Sequence, residues 1–288
     1  MGGGARDHRV TRGDEGPTSG LDSYSEQMPA PVDDALHIPL SIVYVAWGAH
    51  YMELLAKNLA ASILPRGEVV VITDETTPTD ALPDAVTVVR RTFTTRGLHR
   101  KAEALAELSD DYRVVVFLDV DVTVLDDISL GVLKSEIHGV CLVPDPHYSL
   151  GSYRGFGGFL EFKGVLDSGQ LLYNAGVIFF DWRRPDVREA FALWNKLCQE
   201  ARDFADDQPF LSLALELQRL HPYVLSPSFN FRSYGGWASV PSSGRVRVWH
   251  SHRPVPENVK DLSPRYQYRY EPDVQAFVPT RKLGTSLW

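Results

Sequence analysis

The segment Phe117-Leu118-Asp119-Val120-Asp121 carries the strongest chemical signature in the chain. Two carboxylates separated by one residue, where an apolar run gives out, can grip one divalent cation from adjacent positions in a turn. Hard oxygen ligands suit Mn2+ or Mg2+ and leave coordination positions open for phosphate oxygens. A cation held this way offsets the charge that builds on a departing diphosphate, as Lewis acid and as template. The bland alternative is a solvated loop with two acids. Further along, Tyr173-Asn174-Ala175-Gly176 sets an amide and two small residues just before another apolar run. Ala175 and Gly176 admit a ligand closely, and the Asn174 amide offers sugar hydroxyls both a donor and an acceptor. Asp206-Asp207-Gln208-Pro209-Phe210 opens an apolar helix, in which Asp207 is either the N-cap or a functional acid. His250 follows the run ending in Trp249. A neutral imidazole there can be a third metal ligand, although a structural histidine is the commoner use of such a place.

These residues need elements to hold them. Leu40 to Ala46 is a short apolar, β-branched run and reads as a buried strand. A helix is expected from His50 to Leu64, closed by Pro65 and Gly67. Val69 to Ile72 and Val86 to Val89 read as the second and third strands, and Leu98 to Leu108 as a helix. Val114 to Leu118 forms a fourth strand that runs directly into Asp119. Val140 to Val143 and Gly176 to Phe180 follow as strands, Val187 to Glu200 and Asp207 to Leu217 as helices, and Val246 to Trp249 as a late strand. Continuous apolar strands alternating with helices indicate an α/β domain with a mostly parallel central sheet covered on both faces. A ligand then lies beyond the carboxyl ends of the strands, where Asp119 falls. The stretch from Ser149 to Phe159, rich in glycine and aromatics, reads equally as a mobile lid over an acceptor or as a surface loop. Tyr266, Tyr268 and Tyr270, alternating with Gln267 and Arg269, read as a late edge strand and not as a membrane-facing patch.

The 288 residues suffice for one sizeable core, and 44% apolar with 23% charged residues is the composition of a folded globular protein. Residues 1–36, rich in Gly, Asp, Arg and Ser, bury too little to offset their ordering entropy and are expected to be a disordered tail; a single domain follows over 37–288. A net charge of -8 argues against nucleic acid as a partner. It leaves a nucleotide-sugar open, because a cation and a few local bases neutralise a diphosphate. The two cysteines, Cys141 and Cys198, sit in apolar runs and read as buried free thiols. No run of about 18 apolar residues is present and the N-terminus lacks the apolar core of a secretion signal, so no transmembrane segment and a cytoplasmic location are expected. Association into a homodimer is left open.

In their order along the chain, the Asp-x-Asp element, Tyr-Asn-Ala-Gly-Val, Asp-Gln and the strand-end histidine resemble the glycosyltransferases of the GT-A fold. Family eight, that of glycogenin and the lipopolysaccharide galactosyltransferases, is the most similar, and the correspondence runs from Leu40 to His252. The resemblance implies a Rossmann-like nucleotide-diphospho-sugar transferase fold. It also implies transfer of a hexose from a UDP-sugar to a glycan, protein or small-molecule acceptor, with retention of configuration. By the same resemblance Asp119, Asp121 and His250 would hold Mn2+, with Asp119 also near the ribose. Ala46 and Tyr51 would receive the uracil, and Lys101 would contact the donor. Asp145, Asn174, Asp207 and Gln208 would surround the transferred sugar, with Gln208 beside the anomeric carbon and Asp207 as the alternative nucleophile. The chain departs from the family after the histidine: His250-Ser251-His252-Arg253-Pro254 lacks the lysine that grips the diphosphate, leaving Arg253 or Arg100 as substitutes. A second class also fits the acids. Asp119-Val120-Asp121-Val122-Thr123 resembles the first motif of haloacid-dehalogenase-type phosphatases, with Asp119 as nucleophile, although here three strands precede it. A catalytically silent sugar-nucleotide-binding protein is the third reading.

Overall fold

The computed structural model describes residues 39–165, 169–201, 203–233 and 242–283, which belong to one compact unit. The expected tail and the expected start of order at His37 lie outside the described residues. The first half contains β1 (Leu40–Val45), α1 (Ala49–Ala61), β2 (Glu68–Thr73), β3 (Thr87–Arg90), α2 (His99–Ala106), β4 (Val114–Leu118), β5 (Val122–Val124) and α3 (Ser129–His138). Then come β6 (Val140–Leu142), β7 (Pro144–Ser149), α4 (Gly157–Phe162), β8 (Leu171–Tyr173), β9 (Val177–Asp181), α5 (Pro185–Glu200) and α6 (Gln208–Leu217). The chain closes with β10 (Tyr223–Val224), β11 (Phe231–Arg232), β12 (Ser242–Ser243), β13 (Val248–His250), β14 (Tyr266–Glu271) and β15 (Ala276–Lys282).

Seven strands form the central sheet in the order β10-β6-β9-β4-β1-β2-β3. All run parallel except β9, which is antiparallel to both β4 and β6. Strand side chains alternate between faces, and this alternation divides the core in two. Val43, Val45, Val115 and Phe117 pack under α2, α5 and α6, whereas Ile42, Tyr44, Val114, Val116 and Leu118 pack under α1 and α3. Both faces are therefore dry, which is why these strands read as unbroken apolar runs. The chain builds outward from β1 through β2 to β3 and then returns to the other side of β1 with β4. Loops leaving β1 and β4 diverge at that reversal and open a crevice between them.

Several helices differ from the sequence expectation: α2, α5 and α6 shift by one or two residues at their ends, α4 is an addition, and α1 and α3 differ for reasons the packing shows. α1 ends at Ala61, three residues early, because Ser62 turns back on the helix and Ile63 donates its N–H to Val124 O at 2.8 Å, at the end of β5. α3 was not expected at all. Its Gly131 looks like a breaker, but a Cβ there would meet the Phe179 ring at 2.6 Å, so glycine is what lets this helix lie against β9.

A small second sheet, β11-β13-β5, does most to shape the site. β5 begins directly after Asp121 and pairs antiparallel with β13, setting Val122 opposite His250. β11 pairs parallel with β13 on its other side and sets Arg232 beside His250. Behind it the expected edge strand is a hairpin, β14–β15, joined by β12, and its Tyr270 and Phe277 pack on Trp249. The stretch from Ser149 to Phe159 is no surface loop: Leu150, Tyr153 and Phe156 are buried, with Phe156 against Phe204 and Phe210. Both cysteines are buried free thiols. Among the described residues no helix is long and apolar enough to cross a membrane.

Candidate active site

A cleft of about 310 Å³ lies over the carboxyl ends of β1 and β4. Asp119 and Asp121 flank the turn that leaves β4, and β13 brings His250 across to them. Ligand atoms of Asp119, Asp121 and His250 all lie within 4.8 Å of one another. His250 Nε2 is 3.2 Å from Asp121 Oδ1 and 3.8 Å from Asp119 Oδ2. The turn is pinned on two sides, with Asp119 N–H donating to Gly176 O at 2.8 Å and Ser251 N–H to Asp121 O at 2.9 Å. Gly176 lies directly beneath: a Cβ on it would sit 2.1 Å from His250 Cε1 and 2.7 Å from Asp119 Oδ2.

One backbone proton fixes the polarity of the groups behind the histidine. The N–H of Gly176 donates to Asn174 Oδ1 at 3.0 Å, which makes that atom an acceptor. Asn230 must then offer its NH2 to the same oxygen, at 2.7 Å, and turn its own Oδ1 toward His250 Nδ1, also at 2.7 Å. His250 Nδ1 therefore donates to Asn230, and Nε2 is the nitrogen left facing the two carboxylates. Such a hydrogen bond on the far nitrogen is the usual way a metal-binding histidine is oriented. Two carboxylates and an imidazole nitrogen converging on one point fit a divalent cation. The same chain continues in the other direction, where Asn174 Nδ2 donates to Gln208 Oε1 at 2.7 Å. The NH2 of Gln208, which lines the cleft, is the end that Asn174 leaves unengaged.

Charge in the site is closely balanced. Lys101 Nζ, almost fully buried, is 3.2 Å from Asp119 Oδ1 and 3.2 Å from Asp207 Oδ2. Burial disfavours its ammonium, but the two carboxylates outweigh that and hold its pKa above the usual lysine range. Burial pushes the Asp207 carboxyl up, Lys101 opposes this, and Asp206 and Asp119 add to it. Burial would also raise Asp121, yet His250, followed by His252 and Arg232, holds its carboxyl well below the usual range. Asp207 occupies the N-cap position of α6 but its side chain makes no cap hydrogen bond. Asp206 does that instead, its Oδ1 accepting from Gln208 N–H at 3.2 Å. The Asp207 carboxylate is thereby left to face Lys101.

Of the residues named from the sequence, Ala46, Tyr51, Lys101, Asp119, Asp121, Asn174, Gly176, Asp207, Gln208 and His250 line the cleft. Trp47 joins Tyr51 at its apolar end, ring centroids 6.2 Å apart. Asp145 and Ala175 are buried and do not line it. Ala175 packs into the core, and the charge of Asp145 acts on Arg232 from behind. Neither substitute proposed for the missing lysine reaches the cleft. Arg100 is tied to Asp74 at 3.0 Å and stacked over Trp47 and Phe93, while Arg253 reaches Pro272 O at 3.5 Å. The basic side chains the sequence missed are Arg154, Arg232 and His252. The spacing of His252 from His250 could have flagged the last, but no local signal marks the other two.

No protein-family model matches the chain, and no curated protein matches it in sequence. Solved structures do match in shape. A galactosyltransferase, LgtC, in complex with donor and acceptor sugar analogues, aligns at TM-score 0.51 and 18% identity over 75% of this chain and 88% of that one. Mouse xyloside xylosyltransferase 1 in its apo form aligns at TM-score 0.53 and 12% identity, over 76% of this chain and 100% of that one. The apo bifunctional glycosyltransferase WbbM aligns at TM-score 0.50 and 14% identity, over 76% and 46%. Identities this low establish the fold, and the fold is that of the GT-A glycosyltransferases. Within it, this chain sets its acidic cluster and histidine at the reversal of strand order.

Proposed function

We propose that the chain is a metal-dependent glycosyltransferase that moves a hexose from a nucleoside-diphosphate sugar, with UDP as the expected nucleotide, to a hydroxyl acceptor with retention of configuration. The observation that carries this reading is the convergence of Asp119, Asp121 and His250 in an open cleft at the end of β4. Those three residues would hold Mn2+ or Mg2+. Such an ion, when bound, neutralises and orients the departing diphosphate. Ala46, Trp47 and Tyr51 offer the base an apolar, aromatic resting place. Lys101 steadies Asp119 and Asp207 against each other, so that neither carboxylate swings when a ligand enters. Asn174, its oxygen taken by Gly176 and Asn230 and its NH2 by Gln208, locks Gln208 in one orientation, and the Gln208 NH2 is presented to the sugar hydroxyls. Retention is carried over from the resemblance to the retaining family-eight enzymes. Asp207 and Gln208 are the groups available on the sugar's other face. In that arrangement the acceptor hydroxyl enters from the side on which the diphosphate departs. Asp207 is the nucleophile if the transfer passes through a covalent intermediate.

The test is to incubate the protein with UDP-glucose or UDP-galactose and Mn2+ without acceptor. Slow release of UDP, abolished by chelator, is expected. Release of inorganic phosphate from a monoester such as p-nitrophenyl phosphate, with none of UDP from the sugar nucleotide, would instead favour a phosphatase with Asp119 as nucleophile, and no turnover of either would favour a binding protein. With an acceptor in hand, the anomeric coupling of the product in NMR tests retention.

A further inference from the structure

One wall of the cleft carries charged groups that neither the ion nor the donor sugar accounts for. Tyr153 and Arg154 reach it from the turn before α4, and Asp206 from the turn before α6. Arg154 adopts φ 46° and the next residue, Gly155, φ 81°. Such a left-handed pair suits glycine or asparagine and strains arginine. The backbone therefore gains nothing from arginine at 154, and its side chain must be what is useful there. That side chain is 70% exposed, lies over the Tyr153 ring at 5.2 Å, and touches Asp206 Oδ2 through Nη1 at 3.2 Å. Asp206 is itself held by the Tyr153 hydroxyl and the Gln208 N–H. The guanidinium is thus steadied through Nη1 by the same strut that places Gln208, while the residue lines the cleft and stays largely exposed. Arg232, set beside His250 by the β11–β13 register, adds positive charge that reaches Tyr153. Lys101 is already shared between Asp119 and Asp207. In a protein of net charge -8, two arginines line this cleft.

We propose that this wall is an acceptor subsite for an anionic group, a carboxylate or phosphate carried by the acceptor near the hydroxyl that receives the sugar. Arg154 is its fork-shaped partner and Arg232 adds charge from across the cleft. A planar guanidinium pairs with two oxygens of such a group at once, which lysine does not. The donor's own diphosphate belongs beside Asp119 and Asp121, whereas Arg154 is anchored to Asp206, next to the residues that flank the sugar. The inference rests on the glycosyltransferase reading above.

The experiment loads the protein with UDP and Mn2+ and titrates matched pairs by calorimetry: glycerol against glycerol 3-phosphate, and glucose against glucuronate. The charged member of at least one pair is expected to bind about tenfold or more tighter, as hydrogen bonds to a charged group warrant. Whichever pair shows the preference distinguishes phosphate from carboxylate. Arg154→Asn, which suits the left-handed backbone, should lose that preference while Tm rises and UDP–Mn2+ affinity holds; Arg154→Lys should recover part of it. Equal binding of charged and neutral members by the wild type overturns the proposal, as does a preference that survives in Arg154→Asn. UDP–Mn2+ affinity falling in step with anion affinity would assign Arg154 to the donor and also overturn it. A wild type that binds no UDP–Mn2+ brings down the glycosyltransferase reading first, and this inference with it.

Discussion

Replacing Gly176 by alanine puts a methyl group where His250 and Asp119 already stand. The added carbon would lie 2.1 Å from His250 Cε1, 2.7 Å from Asp119 Oδ2 and 2.9 Å from His250 Nδ1. Carbon atoms rest at about 3.5 Å or more, so ring and methyl must separate by about 1.4 Å. Neither side yields easily. His250 is tied to Asn230 at 2.7 Å, while residue 176 is tied through its N–H to Asn174 at 3.0 Å and through its carbonyl to Asp119 N–H at 2.8 Å. Overpacking of this kind costs about 1–3 kcal/mol, and each kcal/mol lowers Tm by roughly 2–4 °C in a domain of this size. The protein therefore stays folded. The site suffers more, because misplacing reacting groups by about 1 Å costs on the order of 10²-fold in rate. Mn2+ affinity measured by EPR, UDP release from UDP-galactose and thermal melting, run side by side, separate the two effects. A folded Gly176→Ala variant with wild-type Mn2+ affinity and wild-type UDP release would refute the reasoning.

Asp121→Asn removes one of two negative ligands and should slow UDP release by about 10²- to 10³-fold, with Tm in metal-free buffer close to wild type; full activity in that variant counts against the metal site. Gly131→Ala drives a methyl group to 2.6 Å from the Phe179 ring. It should cost about 1–3 kcal/mol by denaturant titration without changing Mn2+ affinity, because α3 does not touch the cleft. Burial pushes the Cys141 thiol up to about 12 and moves Cys198 in the same direction. Both should thus resist iodoacetamide at pH 8 in the folded protein and react in guanidinium; mass spectrometry showing native labelling would contradict their burial.

What the sequence revealed, and what it concealed, follows from the range of the interactions. β4 and its two acids are legible because five consecutive buried residues run straight into Asp119. Asn174 and Gly176 are legible for the same reason, as they open β9. Arg232 was invisible. It lies on a two-residue strand whose place is fixed only by its register with β13, and that register is set in turn by β5, over a hundred residues earlier in the chain. Arg154 was hidden in a stretch whose glycines suggested mobility, although Leu150, Tyr153 and Phe156 bury it against the core. Arg100 and Arg253 stay out of the cleft because nearness in sequence to Lys101 and His250 does not fix the direction of a side chain. Arg100 turns outward to Asp74, and Arg253 reaches Pro272 at the end of the β14 strand.

The amide protons behind His250 have a consequence for how the site meets changes in acidity. Many metal-bound histidines lean on a carboxylate, which can itself take up a proton as the medium turns acidic. Here the support is Asn230, then Asn174, then the peptide N–H of Gly176, and none of these gains or loses a proton in ordinary buffers. The imidazole's orientation is thereby tied to the peptide chain itself, and no acid–base group stands behind the ring to release it as the medium changes.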